Sequence, residues 1–254
     1  MRSSARTRSS VLTLNHPNGL AMSDFVLVHG AWHGAWCWQR IVAPLWAAGH
    51  RAFAVTLTGS GERAHLLAPT ISLQTHIADV ANVIEAEELH DAILVGHSYA
   101  GIVITGVADR VARRLKHLVY LDAVVPRPGE SWSSGHSDET RRQRREAIAA
   151  TGTIPAPDPA IFGLAGVDHA WIARHQTPHP GSVYDEPLNF DAARLAALPK
   201  TFVDCTEPAL ATIATSRMRV RSEPGWRVVE IATGHDAMVS APRALLDALL
   251  PLGR

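Results

Sequence analysis

The sequence predicts an α/β protein with a mostly parallel sheet, flanked by helices and interrupted by one helical cap insertion. From Phe25 onward, short apolar runs alternate with segments whose apolar residues recur at helical spacing, as strands and crossover helices do. Between Pro126 and Pro199 that alternation stops. The chain has 254 residues, a length that suits one large domain, so we expect a single core within residues 23–254.

The first half of the alternation predicts three strands. Phe25–Val28 and Arg51–Val55 are the first two, joined by a helix over about 38–48. A Gly-Ser-Gly loop follows at Gly59–Gly61, and Ala92–Val95 is the central strand. The helix before that strand carries an apolar stripe that should face the sheet: Leu73, Ile77, Val80 and Ile84.

The second half predicts a helix over Ser98–Asp109 and a strand at His117–Leu121 directly after it. Two further strands are expected at Thr201–Cys205 and Trp226–Ile231. Phe25–Val28 is apolar throughout, which is typical of a strand of a parallel sheet buried on both faces. A final amphipathic helix carries three leucines on one face: Leu245, Leu246 and Leu249.

The interruption at about 127–199 is far longer than a usual connection between two elements. It therefore predicts a cap with helices of its own, lying over the sheet. We expect the arginine-rich run Arg141–Arg145 to occupy a solvated helix face, since no glycine-rich phosphate loop accompanies it.

Composition excludes several classes of partner. Lys plus Arg and Asp plus Glu are both 24, so no global field gathers nucleic acid or an anionic membrane. No apolar run approaches the ~18 residues of a membrane span, and no Cys/His cluster at ligand spacing predicts a metal. Residues 1–22 lack the apolar centre of a secretory signal. We expect a disordered leader there, and a cytoplasmic protein.

The hexapeptide Gly96–Gly101 lies directly between a predicted strand and a predicted helix. A serine at so sharp a turn presents its hydroxyl at the C-terminal end of the strand, next to the N–H groups that open the helix. Ser98 is therefore the candidate nucleophile. Ala100 stands where such a turn usually has its second glycine, and a methyl group is usually small enough for that position. The alternative is a serine that merely caps an ordinary helix.

Two further features follow the chain order of a nucleophile elbow enzyme. His235 comes just after the last predicted strand, where a loop can return its imidazole to the serine as general base. The loop after the first strand can bring the N–H of Ala31 beside that of Tyr99, as an oxyanion hole. With 14 histidines in the chain, position and order carry the assignment of His235.

Several longer runs around these residues resemble the α/β-hydrolases of the plant methylesterase and hydroxynitrile lyase group, and still more their bacterial esterase relatives. The runs are His29–Trp36, Ala47–His50, Ile93–Ser98, Tyr120–Ala123 and Gly234–Met238. The resemblance covers roughly residues 24–127 and 198–250, and the cap matches only loosely. It implies an eight-stranded sheet less its first strands, a helical cap, a Ser-His-acid triad, no cofactor and often a homodimer.

The acid of that triad is the point at which this sequence departs from the plant members. They usually place an aspartate after the next-to-last strand, in a turn that here reads Cys205–Pro208 and has proline at the expected position. Glu207 is one residue away, and Asp204 lies within the strand. Asp122 ends the strand after the nucleophile helix, a strand end at which some haloalkane dehalogenases of similar fold carry their acid. We predict Asp122, with Glu207 as the alternative acid.

Two positions distinguish hydrolysis from cyanohydrin cleavage in this group. The lyases typically have threonine where Gly30 stands and lysine where Asp236 stands. Because an aspartate would repel the departing cyanide, the sequence favours ester hydrolysis through an acyl-enzyme. The expected partner is a small apolar or aromatic ester. Its pocket is predicted to be lined by Gly30, Trp32, Trp36, Trp132, Phe162 and Trp171, although each aromatic could instead be a core residue.

Two other functions remain open at this stage. A non-hydrolytic biosynthetic enzyme, such as a cyclase or a retro-aldol lyase, could use the same site, because fold does not decide chemistry. A ligand-binding receptor with a vestigial triad is the other alternative. Failure to turn over any simple ester would favour the first, and tight ligand binding without turnover the second.

Overall fold

Six parallel strands form the central sheet of the computed structural model, which describes residues 22–254. The strands are β1 Asp24–Val28, β2 Arg51–Val55, β3 Ala92–His97, β4 Leu115–Leu121, β7 Lys200–Cys205 and β8 Trp226–Ile231, and their order in the sheet is β2-β1-β3-β4-β7-β8. The predicted α/β class is thereby confirmed, with every predicted strand present. The leader predicted for residues 1–22 lies, apart from Met22, outside the described residues.

Helices cover both faces of this sheet. Their bounds are α1 Gln39–Ala47, α2 Leu73–Ala86, α3 Ala100–Val111, α4 Asp138–Thr151, α5 Gly166–His175, α6 Ala192–Ala196, α7 Ala214–Ser222, α8 Ala237–Ser240 and α9 Pro242–Leu249. α2 begins with a capping box in which Ser72 and Thr75 satisfy each other's backbone N–H groups. Within residues 22–254, no helix has both the length and the apolar character needed to cross a bilayer.

The centre of the sheet is buried on both sides, so polar functional residues are expected at the ends of its strands. All residues of β1 and β3 are buried, as are ten of the residues of α3. Because the strands are parallel, their C-terminal ends share one edge, and β1 lies between β2 and β3 where the strand order reverses. That edge is the place where an α/β sheet can hold a ligand.

The segment from residue 127 to residue 199, here called the cap segment, crosses that edge between β4 and β7. It contains α4, α5, α6 and a two-stranded antiparallel hairpin made of β5 Thr153–Ile154 and β6 His179–Pro180. The indole N–H of Trp32, in the loop after β1, donates to the Ile154 carbonyl at 3.0 Å. The cap segment is thus tied by a buried hydrogen bond to the loop that carries Ala31.

Candidate active site

Ser98 lies in the turn between β3 and α3, with a left-handed backbone (φ 55°). A non-glycine residue in that region is uncommon and strained, which is typical of a nucleophile elbow. Two hydrogen bonds hold the turn: the Ser98 N–H donates to Leu121 O at 3.1 Å, and Ser98 O accepts from the Val124 N–H at 3.0 Å. The strain at Ser98 is therefore supported by the end of β4.

The glycine pattern around Ser98 has a steric explanation. A Cβ on Gly101 would lie 2.0 Å from the Val124 carbonyl oxygen, and a Cβ on Gly96 would lie 2.8 Å from the Ala100 carbonyl oxygen. Ala100 itself is fully buried without such a conflict. The helix therefore approaches its neighbour most closely at Gly101, one residue after the usual second glycine, and this explains why Ala100 is tolerated.

The His235 imidazole is oriented by a buried carboxylate. Its Nδ1 donates to Asp122 Oδ2 at 2.6 Å, and both residues are buried. Because Nδ1 carries the proton, Nε2 keeps its lone pair as a base. His97 supports the same loop: its Nε2 donates to the His235 carbonyl at 3.1 Å, and burial holds the pKa of His97 well below its usual value.

Of the two acids considered from the sequence, Asp122 is the one in contact with His235. Asp122 is fully buried at the end of β4 with φ 40°, and its N–H donates to Val203 O at 2.7 Å. Glu207 is exposed, and among the residues that the structure describes its side chain has no hydrogen bond to His235. The turn after β7 therefore points its carboxylate to solvent.

An arginine that sequence analysis missed completes the environment of Asp122. Arg217, on α7, donates through one guanidinium nitrogen to Asp122 Oδ1 at 2.6 Å and through Nε to Asp204 Oδ1 at 2.5 Å. Asp204 is also paired with Arg221 at 2.6 Å. These contacts join three distant parts of the chain, so no local motif could have indicated them. Arg217 leaves Asp122 Oδ2 to His235 alone.

The loop after β1 presents the candidate oxyanion donors. Ala31 and Tyr99 are both buried, and within residues 22–254 neither backbone N–H donates to another protein group. His29 shapes this loop: its Nδ1 donates to Gly30 O at 2.7 Å, and its Nε2 accepts from the Leu57 N–H at 3.0 Å. Only a neutral ring does both, consistent with burial lowering the pKa of His29 to about 3.

A second buried pair joins the oxyanion loop to the His235 loop. His33 donates through Nδ1 to Ala31 O at 2.8 Å and through Nε2 to Asp236 Oδ2 at 3.3 Å. Burial alone would lower the pKa of His33, but the charge and hydrogen bond of Asp236 outweigh it and raise that pKa. Burial would raise the pKa of Asp236, and the opposite charge of His33 lowers it to about 2. Both shifts favour the charged form of each partner.

Asp236 therefore does not act as expected from the sequence. It is fully buried against His33 and does not line the cavity at Ser98, so repulsion of a departing anion is not its role. Together with His97 and His235 it places three potential metal-ligand atoms within 4.8 Å of one another. His235 Nδ1 is already bound to Asp122, however, and Asp236 Oδ2 to His33, so these groups have partners within the protein.

Ser98 and His235 open into one narrow cavity of about 50 Å³ beneath the cap segment. The other residues that line it are Trp32, Trp132, Arg144, Ile161, Phe162, Leu210, Thr212 and Ile213. Of the predicted pocket residues, Trp32, Trp132 and Phe162 are therefore present. Because ligand pockets usually measure roughly 300–1,000 Å³, an ester can enter only if the cap side chains move.

Three predicted pocket residues lie elsewhere, and each has a physical reason. Gly30 packs against the elbow, where an added Cβ would lie 2.8 Å from the Ser98 Cβ. Trp36 stacks on His33 at 5.4 Å between ring centroids and meets the edge of Trp171 at 5.3 Å. The Arg40 guanidinium covers the Trp171 ring at 5.2 Å. The two tryptophans form a separate aromatic cluster and are not among the residues that line the cavity at Ser98 and His235.

A comparison with known proteins identifies the family of this chain. Residues 25–248 match the model of the alpha/beta hydrolase family. The chain belongs to this family. An esterase of Nocardioides sp. (strain SG-4G), named as carbendazim hydrolyzing, is 40% identical over 91% of this chain and 100% of its own length. An esterase of rice, Oryza sativa subsp. japonica, is 28% identical over 90% of this chain and 94% of its own.

This alpha/beta hydrolase also has a close match among solved folds. An extracellular alpha/beta-hydrolase from a Paenibacillus species superposes with a TM-score of 0.76 at 22% identity, covering 91% of this chain and 99% of that one. At that identity the likeness establishes the fold alone. The family and the named relatives nevertheless establish that the protein is an enzyme of the esterase type.

Proposed function

We propose that this alpha/beta hydrolase cleaves small carboxylic esters with apolar or aromatic groups, using Ser98, His235 and Asp122 as its catalytic triad. One observation carries the proposal. A serine held in a left-handed turn shares a cavity with a histidine whose Nδ1 is bound at 2.6 Å to a fully buried aspartate. This is the arrangement by which a weak hydroxyl nucleophile is activated.

The first half of the reaction transfers the acyl group to the enzyme. His235 Nε2 takes the Ser98 hydroxyl proton while Oγ forms a bond to the ester carbonyl carbon, and the carbonyl oxygen becomes an oxyanion. The free N–H groups of Ala31 and Tyr99 stabilise that charge. The bond to the alcohol oxygen then breaks, and the proton on His235 leaves with the alcohol.

The second half releases the acid. Water gives a proton to His235 Nε2 and attacks the acyl carbon. The tetrahedral intermediate then breaks its bond to Ser98 Oγ, which takes the proton back from His235, and the carboxylic acid is released. Throughout, Asp122 keeps the proton of His235 on Nδ1 and stabilises the imidazolium that forms twice. Arg217 is a positioning residue, since its 2.6 Å bond to Asp122 Oδ1 fixes which carboxylate oxygen faces His235.

The walls of the cavity support an apolar or aromatic substrate. The ring centroids of Trp132 and Phe162 each lie 6.1 Å from that of Trp32, and Ile161 and Ile213 add aliphatic surface. Such walls gain free energy by removing apolar ester groups from water. The Nocardioides relative, whose name says that it hydrolyses carbendazim, is consistent with a compact aromatic substrate for this chain also.

Labelling with a fluorophosphonate probe, followed by peptide mass mapping, tests the proposal directly. The probe reacts quickly only with an activated serine, so we expect stoichiometric labelling at Ser98 and hydrolysis of 4-nitrophenyl butanoate. Ser98→Ala should lose both, with kcat lower by at least ~10⁴-fold.

Other outcomes would redirect the proposal. Absence of labelling in the folded protein, or equal labelling of Ser98→Ala, would contradict a serine hydrolase. Labelling without turnover of any simple ester would instead favour a non-hydrolytic enzyme that uses the same nucleophile. Tight binding of a ligand without labelling would favour a receptor.

A further inference from the structure

Arg144 differs from the other arginines of its helix. On α4, Arg141 is paired with Asp138, Arg142 with Glu139 and Glu146, and Arg145 with Asp185. These pairs lie on the outer side of the helix, as expected for a solvated charge run. Arg144 is half-buried and lines the cavity that contains Ser98 and His235. For Arg144, the expectation of a solvated position is wrong.

The Arg144 guanidinium is held by aromatic rings and not by a carboxylate. Its central carbon lies 4.7 Å from the ring centroid of Trp132 and 5.5 Å from those of Trp32 and Tyr184. Its hydrogen-bond partners within residues 22–254 are the Tyr184 hydroxyl and, at 3.4 Å, His136 Nδ1. Burial lowers the pKa of His136 to about 3, so that partner is neutral.

This arrangement leaves a charge without a counter-ion. No Asp or Glu of residues 22–254 lies within 4.0 Å of the Arg144 nitrogens, and no carboxylate lines the cavity. A guanidinium carries five N–H donors in one plane, more than its two neutral protein partners can accept. Arginine binds a carboxylate through two such N–H groups at once.

We propose that Arg144 binds a carboxylate of the substrate, so that the preferred esters carry an anionic group a few atoms from the scissile carbonyl, such as half-esters of dicarboxylic acids. The aromatic walls then hold the apolar body of the ester and Arg144 holds its charged end. This inference rests on the proposed function, because it names the substrate class of the same site.

Two isosteric substrates test it. 4-Nitrophenyl pentanoate and the 4-nitrophenyl half-ester of glutaric acid differ only in a terminal methyl group or carboxylate. We expect the wild type to prefer the half-ester in kcat/KM, and Arg144→Met to lose ~10–100-fold on the half-ester, the value of a charge-assisted hydrogen bond. Because Arg144 lines the cavity, the result is read as the ratio of kcat/KM for the half-ester over the pentanoate, which Arg144→Met should lower ~10–100-fold relative to wild type. The matched control is Arg142→Met, on the outer side of α4, which should leave both rates unchanged.

Either of two results would overturn the inference: a wild type that prefers the pentanoate, or an Arg144→Met variant that loses both activities equally. The second would mean that Arg144 only packs the cap segment or assists the oxyanion. Calorimetric binding of monomethyl glutarate to Ser98→Ala, with and without Arg144→Met, separates this inference from the proposed function. Arg144-dependent binding supports the anion site even where hydrolysis fails, and equal binding to both proteins contradicts it.

Discussion

The floor and the roof of the cavity are built in different ways. The floor consists of Ser98, Asp122, His235 and the loop at 29–32, all set by strand ends. Backbone hydrogen bonds and buried charges hold it, and three of its residues, Trp32, Ser98 and Asp122, have left-handed backbones. The roof consists of Trp132, Arg144, Ile161 and Phe162 from the cap segment, held mainly by side-chain packing. The difference implies that changes in the floor alter the rate of the chemistry, and changes in the roof alter the choice of substrate.

The strongest test of this comparison is a change of the floor carboxylate. Asp122→Asn removes the acceptor that orients His235, so we expect kcat to fall by up to ~10⁴-fold. The matched control is Glu207→Gln, the exposed carboxylate considered from the sequence, which should keep kcat within about twofold. Steady-state hydrolysis of 4-nitrophenyl butanoate measures both.

A fold check must accompany that test, because Asp122→Asn also leaves Arg217 with one carboxylate fewer. Circular dichroism and the melting temperature should show that the variant is folded at the assay temperature. If Asp122→Asn kept nearly full activity while Glu207→Gln lost it, the triad acid would be Glu207, in the turn after β7, and Asp122 would have no catalytic role.

The second test concerns the stability of the floor as a function of pH. The pKa of Asp236 is depressed from 3.8 to about 2, which corresponds to about 2 kcal/mol of stability that is present above pH 4 and lost as the pH falls toward 2. The pKa of His33 is raised, so its contribution is present below pH 6.5 and lost as the pH rises through its folded value. The pair should therefore stabilise most between about pH 4 and pH 6.5.

Denaturant unfolding of wild type and Asp236→Asn from pH 4 to pH 9 measures this contribution. The difference in unfolding free energy should be about 2 kcal/mol near pH 5.5 and should shrink as the pH rises above 6.5. Asp158→Asn is the matched control, since its partner His169 lies at 2.6 Å on the surface. That variant should show no comparable pH-dependent difference. If the difference in unfolding free energy between wild type and Asp236→Asn did not change with pH, the two floor loops would be joined by packing and not by charge.

The smallest expected effect is in the roof. Trp132 is 4% exposed and lines the cavity, whereas Trp171 lies in the separate cluster with Trp36. Trp132→Leu should enlarge the cavity and shift the ratio of kcat/KM for hexanoate over acetate esters by about tenfold, as expected when one or two methylene groups gain room. Trp171→Leu should leave that ratio within about twofold. Equal shifts in both variants would contradict the assignment of the roof.

The contrast between floor and roof also explains what the sequence could predict. The sheet was predictable because most of its strands contain a short apolar run, and the elbow because Gly96, Ser98 and Gly101 lie within six residues of the chain. Their spacing encodes one sharp turn, whatever the rest of the chain does. Asp122 and His235 could be chosen because parallel strands bring their C-terminal ends to one edge.

The roof depends on contacts that no local pattern encodes. Trp132, Trp36 and Trp171 look alike in the sequence, and only the path of the cap segment decides which of them lines the cavity. Arg144 belongs to a run of arginines whose other members face solvent, so nothing in the sequence indicated that Arg144 lines the cavity. The roles of Arg217 and of the His33–Asp236 pair could not be predicted from sequence, because the contacting residues are distant in the chain.

The separation of the catalytic groups along the chain has a consequence for folding. Ser98 and Asp122 follow neighbouring strands, and the bond from the Ser98 N–H to Leu121 O forms as soon as β3 and β4 pair. The contact between Asp122 and His235 spans 113 residues, and closing a longer loop costs more entropy. In the proposed triad, the nucleophile and the acid therefore lie on neighbouring strands, and the base reaches them only once the chain that follows β8 has packed at the edge of the sheet.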